Sequence, residues 1–143
     1  MKLTTRSRYG TRFMYELALH YGEEFLFLKD IAQRQNISEK YLSKLVIPLK
    51  AAGLILSARG AQGGYRLSRE PKDINLHQII EALEGSVSLV DCVGCELVCD
   101  RMAYCPTRDA WKTLSEALIG SMEGMTLAQL VANQKAKAPD YVI

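Results

Sequence analysis

Residues 29–46, KDIAQRQNISEKYLSKLV, decide how the chain reads. Lys29 to Gln35 makes about two turns of helix, and Asn36 interrupts it. Ser38 then stands where its hydroxyl can accept from an exposed N–H in the first turn of a second helix. Tyr41, Leu42, Leu45 and Val46 supply that helix with an apolar face. Two short helices joined by a tight connection, the second polar and basic on its free side, form the pattern of a helix-turn-helix, whose second helix enters the major groove of DNA. Pro48 removes one helical hydrogen bond and crowds the preceding turn at a cost of about 3 kcal/mol. A kink or break is therefore expected near Val46 or Ile47, leaving residues 38 to 46 as the part that faces a ligand.

Toward the N-terminus, Tyr9, Phe13, Leu17 and Tyr21 recur at intervals of four with Met14 and Ala18 beside them, which predicts an amphipathic helix closed by Gly22. Toward the C-terminus, Gly53 fits a left-handed helix cap, Leu54 to Ala58 reads as a strand, Arg59 to Gly64 as a turn and Tyr65 to Ser68 as the returning strand. A basic, glycine-rich hairpin directly after a helix-turn-helix is a wing. Ile74, Leu76, Ile79, Ile80 and Leu83 predict a short helix ended by Gly85. Pro106 opens a long helix in which Trp111, Leu114, Leu118 and Met122 fall at spacings of three and four, a stripe suited to pairing with a second copy. Thr126 caps a last helix, Leu127 to Gln134, followed by a loose tail from Lys135 to Ile143.

The expected fold is mainly α with a small β-hairpin: a winged helix-turn-helix DNA-binding domain plus a long dimerisation helix. The expected divisions are a DNA-binding domain at 1–85, a cysteine-rich cluster-binding loop at 86–106, and the dimerisation helix with its tail at 107–143. At 143 residues, with 48% apolar and 24% charged side chains, the chain has room for one core without disulfides and lacks the composition of disorder. No run reaches the roughly 18 apolar residues of a membrane span, and the start MKLTTRSRYG lacks the apolar stretch of a signal peptide. A cytoplasmic location without membrane contact is expected.

The net charge of +2 conceals an asymmetry. Residues 1–72 carry 13 Lys/Arg against 6 Asp/Glu, and residues 73–143 carry 5 against 10. One half suits a polyanion and the other does not. The acidic half holds all four cysteines, Cys92, Cys95, Cys99 and Cys105, within fourteen residues. Clustered thiols in a reducing compartment point first to a metal site and second to a redox switch. Thiolate is a soft ligand that takes zinc, copper(I) or an iron–sulfur cluster, and crowding into one loop without a second, distant C-x-x-C pair favours the cluster.

The opening MKLTTRSRYG, the stretch IAQRQNISEKYLSKL, the wing RGAQGGYRL and the cysteine loop leading into CPTRDAW resemble the Rrf2 family of bacterial winged-helix repressors, the IscR/NsrR/RirA-like regulators. The resemblance covers nearly the whole chain. It implies a homodimer that binds double-stranded operator DNA and, in many members, carries a 2Fe–2S or 4Fe–4S cluster as its sensor. Cys92, Cys99 and Cys105 match the three ligating cysteines of the family. Some members take a fourth ligand three residues after the last cysteine, where this chain has Arg108, and others from the first helix, where it has Arg8 and Arg12. Arginine does not ligate, so Cys95 is the candidate for the fourth position, with 4Fe–4S favoured over 2Fe–2S.

For DNA, the expected contacts are Ser38, Lys40, Tyr41, Ser43 and Lys44 on the second helix and Arg59, Gln62 and Gly63 on the wing. Tyr41 has the alternative of a place in the core, and Lys2, Arg6, Arg8 and Arg12 are further phosphate candidates. His20 and His77 carry no motif, and no phosphate loop, nucleophile elbow or acid/base pair argues for an enzyme. The expected function is a transcriptional regulator, and a repressor in particular, that senses redox, iron or nitric oxide status. The alternatives are a small iron–sulfur electron-transfer protein, which has no use for a basic winged helix, and a winged-helix regulator using zinc or a thiol switch.

Overall fold

The computed structural model describes residues 2–61, 63–95 and 99–137. Thr4 caps the first helix, α1 (Thr5–Leu19), its hydroxyl oxygen accepting from the Ser7 N–H at 3.4 Å. Phe13, Met14 and Leu17 line the buried face of α1. The helix ends before Tyr21, which the fourfold spacing had placed on that face; Tyr21 lies past the last turn and is exposed.

α2 (Leu28–Gln35) stops where Asn36 adopts a left-handed φ of 52°, a conformation asparagine tolerates better than most residues. Ser38 caps α3 (Glu39–Ala51), accepting from the Tyr41 N–H at 3.3 Å as expected. Of the expected kink or break, the break does not occur: α3 runs through Pro48 to Ala51. The physical reason is burial. Leu42, Leu45, Val46 and Leu49 are all buried, and at about 1.5–3 kcal/mol for each large aliphatic side chain they outweigh the roughly 3 kcal/mol that an internal proline costs.

The wing consists of β1 (Ile55–Ala58) and β2 (Gly64–Leu67), antiparallel, with Ile55 opposite Leu67 and Ala58 opposite Gly64. Its base has an additional partner. Leu26 bridges to Tyr65 through two backbone hydrogen bonds of 2.9 and 2.8 Å, so the apolar run before α2 serves as a short third strand. Gly64 permits this approach: its φ is 127°, and a Cβ there would lie 2.1 Å from the Leu26 carbonyl oxygen.

α4 (Leu76–Glu84) begins with a capping box in which Asn75 and Gln78 satisfy each other's backbone N–H groups. It packs against α1 so closely that a Cβ on Gly10 would lie 2.2 Å from Leu83 Cδ1. A single-turn helix, α5 (Asp91–Gly94), and the longer α6 (Pro106–Glu123) follow. The last helix, α7 (Leu127–Lys137), continues three residues beyond its expected end at Gln134.

Chain order and spatial order differ at the C-terminus. Thr126 and Gln129 form a second reciprocal cap, and this cap lies beside the first. Asn75 bridges to Thr126, the Leu76 N–H donates to the Met125 carbonyl at 2.8 Å, and the Leu127 N–H donates to the Ile74 carbonyl at 2.9 Å. Leu127 is thereby buried in the same core as Phe13 and Leu42. α6 instead touches the body along one side. Its Ser115 hydroxyl accepts from the Leu89 N–H at 3.2 Å, and Met122 is buried, so Met122 belongs to the face turned toward its own chain and not to an outward stripe. Trp111 and Leu114 are exposed.

Candidate nucleic-acid interface and cysteine loop

The free face of α3 carries Lys40, Ser43 and Lys44, all exposed, with Ser38 at its start. The Ser43 hydroxyl donates to the Lys40 carbonyl at 2.6 Å, which commits its proton to the helix and leaves its oxygen as an acceptor. Tyr41 is half-buried and stands edge-on to Tyr9, with ring centroids 5.9 Å apart and an 86° interplanar angle. It belongs largely to the packing. On the wing Arg59 is exposed, whereas Gly63 is buried, donating its N–H to the Gly60 carbonyl at 3.0 Å. A Cβ on Gly63 would lie 2.5 Å from the Ala58 carbonyl oxygen, so this residue builds the turn from inside it. Gln62 lies outside the described residues.

Between α2, α3 and the wing runs a groove of about 460 Å³ lined by Phe27, Lys29, Glu39, Lys50, Ser57 and Arg59, among others. Lys29 and Lys50 escaped the sequence reading. The signal for Lys50 is its spacing of seven from Ser43 on the same helix, which the break expected near Pro48 hides. Three cations on three elements, one beside the next around a concave surface, match the arrangement that phosphate contacts require.

The helix-turn-helix is fastened to α1 by a buried carboxylate. Glu16, 4% exposed, accepts from Gln35 Nε2 at 2.7 Å and Arg34 Nη1 at 3.3 Å. His20, to which the sequence assigned nothing, lies 3.5 Å from Glu16 and 2.8 Å from Glu23. Arg12, a phosphate candidate from sequence, instead donates to the side chain and carbonyl of Gln35 at the end of α2. Four polar residues thus fix the pitch of α2, and through it α3, against the core.

The cysteines sit on the opposite kind of structure. Cys92 is within α5, Cys95 follows that turn, Cys99 is in the exposed segment before α6, and Cys105 is the cap residue of α6. Among the described residues no three His, Cys, Asp or Glu side chains are grouped closely enough to hold a metal ion. Cys105 Sγ lies 3.2 Å from the Thr107 hydroxyl, and that hydrogen bond, with the Arg108 backbone N–H, holds its thiol below the ordinary range. Arg108 Nε donates to the Cys92 carbonyl at 2.9 Å, tying α6 to the loop. The donor set, four thiols within one segment and one of them at a helix N-terminus, fits a thiolate-ligated centre in chemistry, although the sulfurs are not gathered around one point.

The Rrf2 family model, described as an iron-dependent transcriptional regulator, matches residues 3–133. The chain is 46% identical over 131 residues to the protein named rrf2 of Nitratidesulfovibrio vulgaris, covering 92% of this chain and 87% of that one. Among solved structures it is similar to CymR, the global cysteine regulator of Bacillus subtilis, at a TM-score of 0.79 and 40% identity, covering 93% and 98% of the two chains. It is also similar to IscR of T. potens at a TM-score of 0.78 and 36% identity, covering 96% and 91%. No helix among the described residues is long and apolar enough to cross a membrane. The winged helix, its basic groove and these matches agree: the chain belongs to the Rrf2 family of DNA-binding transcriptional regulators.

Proposed function

We propose that this regulator binds a near-palindromic operator as a homodimer, as a repressor, and that a 4Fe–4S cluster held by Cys92, Cys95, Cys99 and Cys105 sets its affinity. The observation that carries the reading is the division of labour in one short chain. Lys29, Lys50 and Arg59 line the groove between α2, α3 and the wing, Lys44 is exposed on α3, and the thiols occupy a separate segment at the foot of α6. Lys40, Lys44 and Arg59 neutralise phosphates, while Ser38 and Ser43 approach base edges. Trp111, Leu114 and Leu118 of α6 meet their counterparts across a two-fold axis, which sets the two α3 helices about 34–36 Å apart, one turn of B-DNA.

When bound, a cluster supplies a redox- and iron-responsive centre whose gain or loss orders or releases its loop. The protein's own part is mechanical. Arg108 joins the Cys92 backbone to α6, so the order of the loop and the setting of the dimer helix are linked. A second reading draws on the likeness to CymR and on the exposure of Cys95 and Cys99: a thiol switch in which two thiols give two protons and two electrons to a hydroperoxide, forming a disulfide and leaving water and an alcohol.

The test is anaerobic purification followed by the ultraviolet–visible spectrum, iron and acid-labile sulfide analysis, and salt-titrated binding to duplex DNA in holo and apo forms. Visible charge-transfer bands, about four irons per chain and different operator affinities of the two forms are expected. A colourless, iron-free protein whose DNA affinity changes on peroxide treatment supports the thiol switch instead. Loss of salt-dependent duplex binding in every form would overturn both.

A further inference from the structure

The unbroken course of α3 through Pro48 carries Ile47 onto the face that meets DNA. Its side chain is 68% exposed, although isoleucine is among the residues most often buried. On the helix, Ile47 stands four residues after Ser43, three after Lys44 and three before Lys50, all exposed. An apolar side chain set among cations that neutralise phosphate has no donor to offer a phosphate oxygen. In the major groove the one apolar group on a base edge is the C5-methyl of thymine. At about 100° per residue, Ile47 falls between Ser43 and Lys44 around the axis of α3, so a helix that turns those two residues toward base edges and phosphates turns Ile47 there too.

We propose that Ile47 is a specificity-determining residue that contacts a thymine methyl group at one position of each half-site. The inference rests on α3 being the helix in the groove. It adds an apolar reading to a face otherwise made of lysines and serines.

The test begins with duplexes that the wild-type protein selects from a randomised pool. Each thymine of the selected duplex is then replaced singly by deoxyuridine, which lacks only the methyl group, and binding of wild type and Ile47→Ala is compared. Because Ile47 is exposed, Ile47→Ala should unfold at the wild-type temperature, which thermal melting checks. The expected result is one symmetry-related position where methyl removal weakens wild type by about fourfold per methyl and has no effect on Ile47→Ala. If both proteins bind the duplex and respond alike to every replacement, the inference fails while the regulator reading survives. A flat scan in which Ile47→Ala also changes the sedimenting mass would overturn it in favour of a contact between copies. If no duplex is enriched and binding lacks salt dependence, α3 is not the recognition helix, and the functional reading fails with the inference.

Discussion

α1 and α6 carry similar apolar periodicity, but seven of the fifteen residues of α1 are buried, against Ser115 and Met122 alone among the eighteen of α6. α1 is surrounded by α2, α3, α4, α7 and β2, each taking part of its surface. α6 meets α4 and α5 along one side and leaves Trp111 and Leu114 facing outward. An apolar stripe therefore announces that something will cover it, and position in the fold decides whether that partner comes from the same chain. In α1 the stripe is buried in the core of its own chain; in α6 Trp111 and Leu114 stay exposed, and the proposed dimer would cover them.

The comparison can be broken most directly at its buried end. Phe13→Ala should destabilise the protein by about 3–5 kcal/mol, measured as a lower urea midpoint with an unchanged slope. Leu114→Ala should leave the stability of the isolated chain within about 0.5 kcal/mol, as surface substitutions do. Equal losses at the two sites would mean that α6 is as embedded as α1.

The outward end is tested by charge. Leu114→Asp should weaken self-association by about a hundredfold or more, since a two-fold axis counts the loss of about 1.5–3 kcal/mol twice. Sedimentation across a concentration series checks it, and an unchanged mass would remove α6 from the interface.

At the wing, Gly64→Ala places a Cβ against the Leu26 carbonyl in a left-handed conformation. It should cost more than about 1 kcal/mol and weaken DNA binding along with folding. Lys44→Ala should leave folding intact and lower the slope of log affinity against log salt by about one unit. A wild-type slope for Lys44→Ala would take α3 off the phosphate backbone.

The smallest effect concerns acid. Thr4 and Ser7 at the start of α1 donate to Glu84 and hold its carboxyl below the ordinary range. A depressed carboxyl contributes stability above its unfolded value of about 4.3, and that contribution fades as pH falls through the lower folded value. Glu84→Gln should thus lose less stability than wild type between pH 7 and pH 3 in urea titrations, and parallel losses would show that this contact adds nothing.

The sequence by itself determined the helix-turn-helix, the wing, the cap at Ser38 and the family. These rest on local rules: spacing along a helix, a hydroxyl at its start, glycine where φ turns positive. It also gathered the four thiols into one segment, because sequence proximity is itself the signal. It does not show that α3 continues past Pro48, since the cost of a proline is local and the burial that outweighs it comes from distant residues. For the same reason Lys50 and Ile47 are hidden, and so is the hold of Arg12, a phosphate candidate from sequence, on Gln35. Only the tertiary structure decided that α7 returns to the core, that Leu26 completes the base of the wing, and that Met122 turns inward while Leu114 does not. Each of those outcomes depends on a contact between residues far apart in the chain, and periodicity says which face is apolar without saying what will cover it.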